Sequence, residues 1–404
     1  MRNFDKIVLP SWHLFLYLIM IGLTFISMPQ GGVFYLVTRI VQAIEMIFFV
    51  ILCVIFYKQG IRLNKFNTLT NLWFIFYIFL SYAFTAGRGL TPVFGWLNVI
   101  IFLLLGICYW QNAPQDHFRY IAFAFSCLIY LNAILLILFP DGLWIDHSWV
   151  GRGDSTRYLL GHYNQMGFVC LLGIIIQAMY TLSTNKGVLN LFLLVFVSLW
   201  SVFFVGSMTS AVGLSLFAVY LLIHNVIKRP KIYLICFIII YVLFFTFIVW
   251  YGNSIEEIKL AANFIESTLS KDTSFSLRTV IWDNAVYQIN QSPWIGHGVQ
   301  DVEWNDVHLG ASGPHNLWLM FLLQGGIALC IAFIGIVTFV IKRALKVTAS
   351  PTTAGVVALS IFFLMSLFET FPIVPIFLLL QSVYYSPALI ENKEQSHHFK
   401  DISA

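Results

Sequence analysis

Arg278 and His315 are the residues of this chain best suited to act on a phosphorylated, hydroxyl-bearing ligand. Arg278 lies in Ser276-Leu277-Arg278-Thr279-Val280-Ile281-Trp282. Its guanidinium is a rigid fork of donors that matches phosphate oxygens and stays charged at any relevant pH. His315 lies in Gly313-Pro314-His315-Asn316, and imidazole is the side chain whose ordinary pKa allows proton exchange near neutrality. That is the assistance a weakly acidic sugar hydroxyl needs in order to attack carbon. Each residue also has a plainer reading: Arg278 as an ordinary surface charge, His315 as a hydrogen-bonded residue at an interface.

Other polar groups extend the constellation. Arg152 and Arg157, in Val150-Gly151-Arg152-Gly153-Asp154-Ser155-Thr156-Arg157-Tyr158, offer further cations, with pairing to Asp154 as the alternative. Gly161-His162-Tyr163-Asn164-Gln165-Met166-Gly167 opens an apolar run directly afterwards, so His162 and Asn164 have the same profile as His315 and Asn316. Glu369 is a carboxylate near the outer end of an apolar segment. Arg39 and Glu45 are charges inside one, where mutual pairing or cavity lining is at least as good a reading as catalysis.

The elements that must position these residues are membrane helices. Apolar residues make up 59% of the 404-residue chain and charged residues 10%, against about 25% charged in a soluble domain. Mean hydropathy is +0.85. Runs of about twenty apolar residues, enough to cross about 30 Å of hydrocarbon, begin at Trp12, Val33, Leu69, Val93, Tyr120, Tyr163, Val188, Ala211, Ile232, Asn316, Thr353 and Ile373. The expected fold is therefore an all-α polytopic membrane protein of about twelve spans. Fifteen of the 22 basic residues fall in loops that share one side when the amino terminus is cytoplasmic, as retention of Lys and Arg on the inner side requires. Both termini are thus expected inside, with no cleavable signal peptide.

The net charge of +4 arises from these inner loops and gives no reason to invoke nucleic acid. The six cysteines all fall in apolar runs at no metal-like spacing and read as packing residues.

Two outer loops are long. The chain divides into helices over 1–139, an outer loop 140–162, helices over 163–250, a large outer loop 251–313, helices over 314–391 and a cytoplasmic tail 392–404. In the large loop, Glu256 to Leu269 can form an interfacial amphipathic helix. A second helix is better signalled: Ser274 or Ser276 can cap it, Leu277, Ile281, Ala285 and Ile289 form a buried stripe, and Pro293 follows its end. Arg278 and Trp282 share a different face of that helix. The turn-rich Ser292-Pro293-Trp294-Ile295-Gly296-His297-Gly298 can bring backbone amides to a ligand. The chain has no P-loop and no internal repeat of the transporter kind.

Taken together, the segments Gly161 to Gly167, Ser276 to Trp282, Ser292 to Gly298 and Pro314-His315-Asn316 to Gly325-Gly326 resemble the O-antigen ligase and Wzy polymerase superfamily. The resemblance spans roughly residues 150 to 370. It implies a metal-independent, cofactor-free glycosyltransferase of the C-type membrane class in the bacterial inner membrane, inverting at the anomeric carbon and active on the extracytoplasmic face. Its implied partners are undecaprenyl pyrophosphate-linked oligosaccharide as donor and acceptor, membrane lipid, a chain-length regulator and a flippase.

By this resemblance Arg278 binds the lipid pyrophosphate and His315 acts near the acceptor hydroxyl. Arg152, Arg157, His162, Asn164, Trp282, His297, Asn316 and Glu369 complete the substrate-binding set.

Two departures are visible. Many members carry an arginine where this chain has Gly206-Ser207-Met208-Thr209-Ser210, which leaves Arg152 or Arg157 to supply the second cation. Leu329 stands where the ligase pattern prefers a small or polar residue, which leans toward a repeat-unit polymerase for capsule, exopolysaccharide or O-antigen. A ligase acting on lipid A core and a flippase or other transporter are the alternatives.

Overall fold

The apolar periodicity is realised in a computed structural model whose described residues are 63–83, 114–146, 155–224, 230–250, 278–347 and 349–390, with scattered positions between 18 and 104. The described residues are mostly helical. In chain order the helices are α1 (Lys65–Ala83), α2 (Pro114–Leu138), α3 (Tyr163–Thr184), α4 (Val188–Phe204), α5 (Met208–Ile223) and α6 (Pro230–Phe244), the last continued by a π-helix, Phe245–Trp250. Further along the chain come α7 (Arg278–Gln291), α8 (Val302–Leu309), α9 (Leu317–Ala344), α10 (Ser350–Met365) and α11 (Ile373–Tyr385).

Four helices among the described residues are long and apolar enough to cross a membrane: α2, α3, α6 with its π extension, and α9. Four shorter apolar helices, α4, α5, α10 and α11, accompany them. This supports an all-α membrane protein. The expected spans at Trp12, Val33 and Val93 fall largely outside the described residues, as do Arg39, Arg152, the interfacial helix at Glu256 to Leu269 and the tail.

Helix α3 is the hub. It is buried over nearly its whole length and packs against α2, α4, α5, α10 and α11. Gly167 permits a close approach to α5, since a Cβ there would collide with Ser210. Helix α6 is the opposite case, apolar yet with hardly any residue fully buried. Such a surface is stable only against lipid. A separate apolar cluster of Val249, Ile281, Trp282, Ala285, Ile289, Leu309, Leu319 and Leu323 fixes α7 onto the π-helix and the start of α9. Ile281, Ala285 and Ile289 are the stripe expected from the sequence.

The loop before α3 contains an element absent from the all-α expectation. Trp144–Asp146 (β1) pairs antiparallel with Ser155–Arg157 (β2), Trp144 opposite Arg157. Strands of three residues are too short to show an alternating pattern.

Helix α9 is broken at Gly326, whose φ of 62° and ψ of −164° are non-helical. A break inside a membrane helix frees backbone groups that must find partners. Here the turn after α7 supplies them: the amides of His297 and Gly298 donate to the carbonyls of Leu323 and Gln324, at 2.6 and 3.1 Å. In return the amides of Ile327 and Ala328 donate to Pro293 and Trp294, at 2.8 and 3.2 Å. The Pro293 to Gly298 segment therefore spends the amides of His297 and Gly298 on α9, where the sequence suggested a ligand.

Candidate functional site

Three helices begin at one cavity. Tyr163, Asn164, Gln165 and Phe168 come from the first turns of α3, Arg278 and Ile281 from the start of α7, and His315 immediately precedes the Asn316 cap of α9. Arg157 reaches the cavity from β2, and Glu369 and Thr370 from the turn between α10 and α11. The space is about 370 Å³. Helix N-termini carry partial positive charge and unpaired N–H groups, so their convergence with two arginines favours an anion.

Glu369 ties these elements together. Its side chain is only 7% exposed, and a carboxylate so placed must be paired. Oε1 accepts from the guanidinium of Arg278 and from the Asn164 amide at 2.6 Å. Oε2 lies 3.8 Å from Nδ1 of His315. Asn164 is oriented in turn by Ser207, whose hydroxyl donates to Asn164 Oδ1 at 3.0 Å and stands 2.8 Å from the Ser210 hydroxyl. The Gly206 to Ser210 turn, which carries no basic residue, thus contributes through a serine.

Residues behind the cavity hold His315 in place. Trp282 is fully buried and its indole N–H donates to the Pro314 carbonyl at 3.0 Å. Asn316, also fully buried, caps α9 by accepting from the amides of Trp318 and Leu319, and donates to the Leu367 carbonyl at 2.9 Å. The amide of Leu317 donates to Ser366. Between these anchors His315 adopts φ +46°, a left-handed backbone that a non-glycine residue holds only when its surroundings impose it.

The sequence candidates separate accordingly. Arg157, His162, Asn164, Arg278, His315 and Glu369 line the cavity. Trp282 and Asn316 do not line it but brace the loop that carries His315. His297 is more remote: its Nε2 donates to the Gln288 carbonyl at 2.8 Å, which belongs to the docking of the turn on α9.

Tyr163, Gln165, Ser312, Thr370 and Ser207 were not singled out from the sequence. Gln165 had a visible signal, three residues after His162 at a helix start. Its Oε1 accepts from the His162 amide at 3.2 Å and from Arg157 at 3.4 Å. Ser207 had a weaker one, as a hydroxyl at the end of an apolar run.

Burial pushes the His162 imidazole down to about 4, helped by the charge of Arg157, opposed by Glu369, and helped again by His315. His162 is thus neutral near pH 7, a hydrogen-bonding group rather than a third cation. Among the described residues no cluster of three or more His, Cys, Asp or Glu side chains is arranged to hold a metal ion.

Residues 193–334 match the family model of the O-antigen ligase domain. The match runs from α4 to the middle of α9 and includes both Arg278 and His315. Arg157, His162, Asn164 and Glu369 lie on either side of it. No curated protein matches the chain. The O-antigen ligase match supports an enzyme of the ligase or polymerase type in polysaccharide biosynthesis, and the apolar helices agree with a membrane location. The matched stretch holds Arg278 and His315, and the carboxylate that joins them, Glu369, comes from the turn between α10 and α11.

Proposed function

We propose that the cavity transfers a glycan from undecaprenyl pyrophosphate to the hydroxyl of a lipid-linked acceptor, as a repeat-unit polymerase does. The observation that carries this reading is that Arg278 and His315 meet through Glu369 in one cavity ringed by helix N-termini.

The chemistry follows from the side chains. The acceptor hydroxyl gives its proton to Nε2 of His315, whose Nδ1 faces Glu369, and the oxygen attacks the anomeric carbon. The bond from that carbon to the pyrophosphate oxygen breaks. The pyrophosphate leaves with both electrons, and Arg278 and Arg157 stabilise the charge that develops on it. Arg278 gives Glu369 a contact from Nη2 and, with five N–H donors in all, keeps others for phosphate. Attack opposite the leaving group inverts the anomeric centre, and the donor bond supplies the energy.

The acceptor is the finer choice. Leu329 departs from the ligase pattern, but it is fully buried and its carbonyl accepts from Trp73 at 3.3 Å. Its support for a polymerase is therefore one of sequence pattern and not of cavity shape. The description of the matching family favours a ligase as the second reading.

Purified protein given lipid pyrophosphate-linked oligosaccharide is expected to lengthen it, and His315→Ala to abolish lengthening while still inserting in the membrane. Transfer to added lipid A core would select the ligase reading. Turnover of neither acceptor sinks glycan transfer.

A further inference from the structure

Beside the charged cavity lies a second, smaller chamber of about 120 Å³. The two share Ser312 and Thr370 as common walls. Their chemistry differs sharply. The first is lined by two arginines, two histidines and a glutamate, whereas no charged side chain lines the second. Trp304, Gln300, Asn305 and Gln324 are among the residues that line it instead, together with the shared Ser312 and Thr370.

We infer that this chamber is a subsite for a neutral sugar residue of the glycan, seated next to the diphosphate cavity. The inference rests on the glycan-transfer reading above. A pyranose presents hydroxyls that both donate and accept, and carboxamide groups do the same without charge. It also presents a face of C–H groups, for which an amphipathic aromatic is the complementary surface. Trp304 is half-buried and held by its surroundings. Its backbone amide donates to the Asp301 cap of α8 at 2.7 Å, and His308 stacks on its ring at 4.2 Å between centroids.

The amides are fixed as well. Asn305 donates to the Ser312 carbonyl at 3.2 Å, Gln324 accepts from the Tyr77 hydroxyl at 3.2 Å, and the Gln300 amide donates to the His297 carbonyl. Groups pre-set in this way discriminate between ligands by hydroxyl position, because a missing hydroxyl leaves a polar group unpaired. The chamber has about a third of the volume of the charged cavity, 120 against 370 Å³.

The test is calorimetric titration of the purified full-length protein with two probes. One is the repeat-unit oligosaccharide released by mild acid from the host's own surface polysaccharide; the other is inorganic pyrophosphate. Trp304→Ala is expected to weaken oligosaccharide binding about tenfold, in line with truncation of a central aromatic contact, and to leave pyrophosphate binding intact. Arg278→Ala is expected to do the reverse.

Oligosaccharide affinity unchanged in Trp304→Ala, or absent from the unaltered protein, overturns the sugar subsite. Pyrophosphate binding indifferent to Arg278→Ala counts against the glycan-transfer reading instead. Should Trp304→Ala lose both ligands through misfolding, Trp304→Leu keeps apolar bulk without the flat ring. In that variant weakened oligosaccharide binding supports the subsite, and undiminished binding overturns it.

Discussion

Arg278 and Glu369 are separated by 91 residues and form an ion pair at the cavity wall. The pair joins the first residue of α7 to the turn between α10 and α11. Because the carboxylate also accepts from Asn164 and faces His315, one side chain sets the relative positions of α3, α7 and α9 at their N-terminal ends.

Arg278→Lys is expected to lower turnover about a hundredfold, the scale seen when one preorganised charge-stabilising donor is lost. A lysine ammonium can pair with Glu369 but cannot present a planar fork to phosphate. The check is the rate of oligosaccharide lengthening by purified protein. A rate near that of the unaltered enzyme would remove Arg278 from the proposed diphosphate site.

Glu369→Gln removes the charge that balances Arg278 and aligns His315. Breaking a buried pair from one side costs about 3–5 kcal/mol; with Arg278 19% exposed, a loss on the order of 2 kcal/mol is expected after that discount. Thermal unfolding in detergent reads this directly. The double variant Arg278→Gln/Glu369→Gln should recover part of the loss, since it leaves neither partner uncompensated.

His162 predicts a pH dependence of stability. Its folded pKa, about 4, lies below the ordinary value of roughly 6.5, so over that interval the unfolded chain binds a proton that the folded chain does not. Stability contributed by neutral His162 is therefore complete above about pH 6.5 and declines as pH falls toward 4. Melting temperatures across this window should flatten in His162→Asn. An identical slope in both proteins would assign the dependence to another group.

Gly326→Ala tests the sealed break in α9. The backbone there is in a region open essentially to glycine alone, which costs other residues about 1–3 kcal/mol. A Cβ would also collide with the backbone of Trp294. Lower thermal stability is expected, together with protease sensitivity in the Pro293 to Gly298 turn. Unchanged resistance at that turn would mean that the four backbone hydrogen bonds do not hold it.

Much of this protein is legible in its residues. The apolar runs place the helices because a bilayer demands a stretch of fixed length, and α3, α4, α9 and α11 begin within a residue of where those runs begin. The stripe of Ile281, Ala285 and Ile289 foretells α7 and its buried face. The chemistry of Arg278 and His315 is legible too, because guanidinium and imidazole carry it wherever they stand.

What only the tertiary structure decided is which polar groups meet. Trp282, on the face of α7 that carries Arg278, lies buried beneath Pro314. The amides of His297 and Gly298 close a break in α9, and the Ser207 hydroxyl donates to Asn164. Period and hydropathy describe one helix at a time, whereas these contacts arise where the ends of several helices pack together. At those ends each buried donor or acceptor must find a partner, and the partner is chosen by proximity in space, which separation along the chain does not encode.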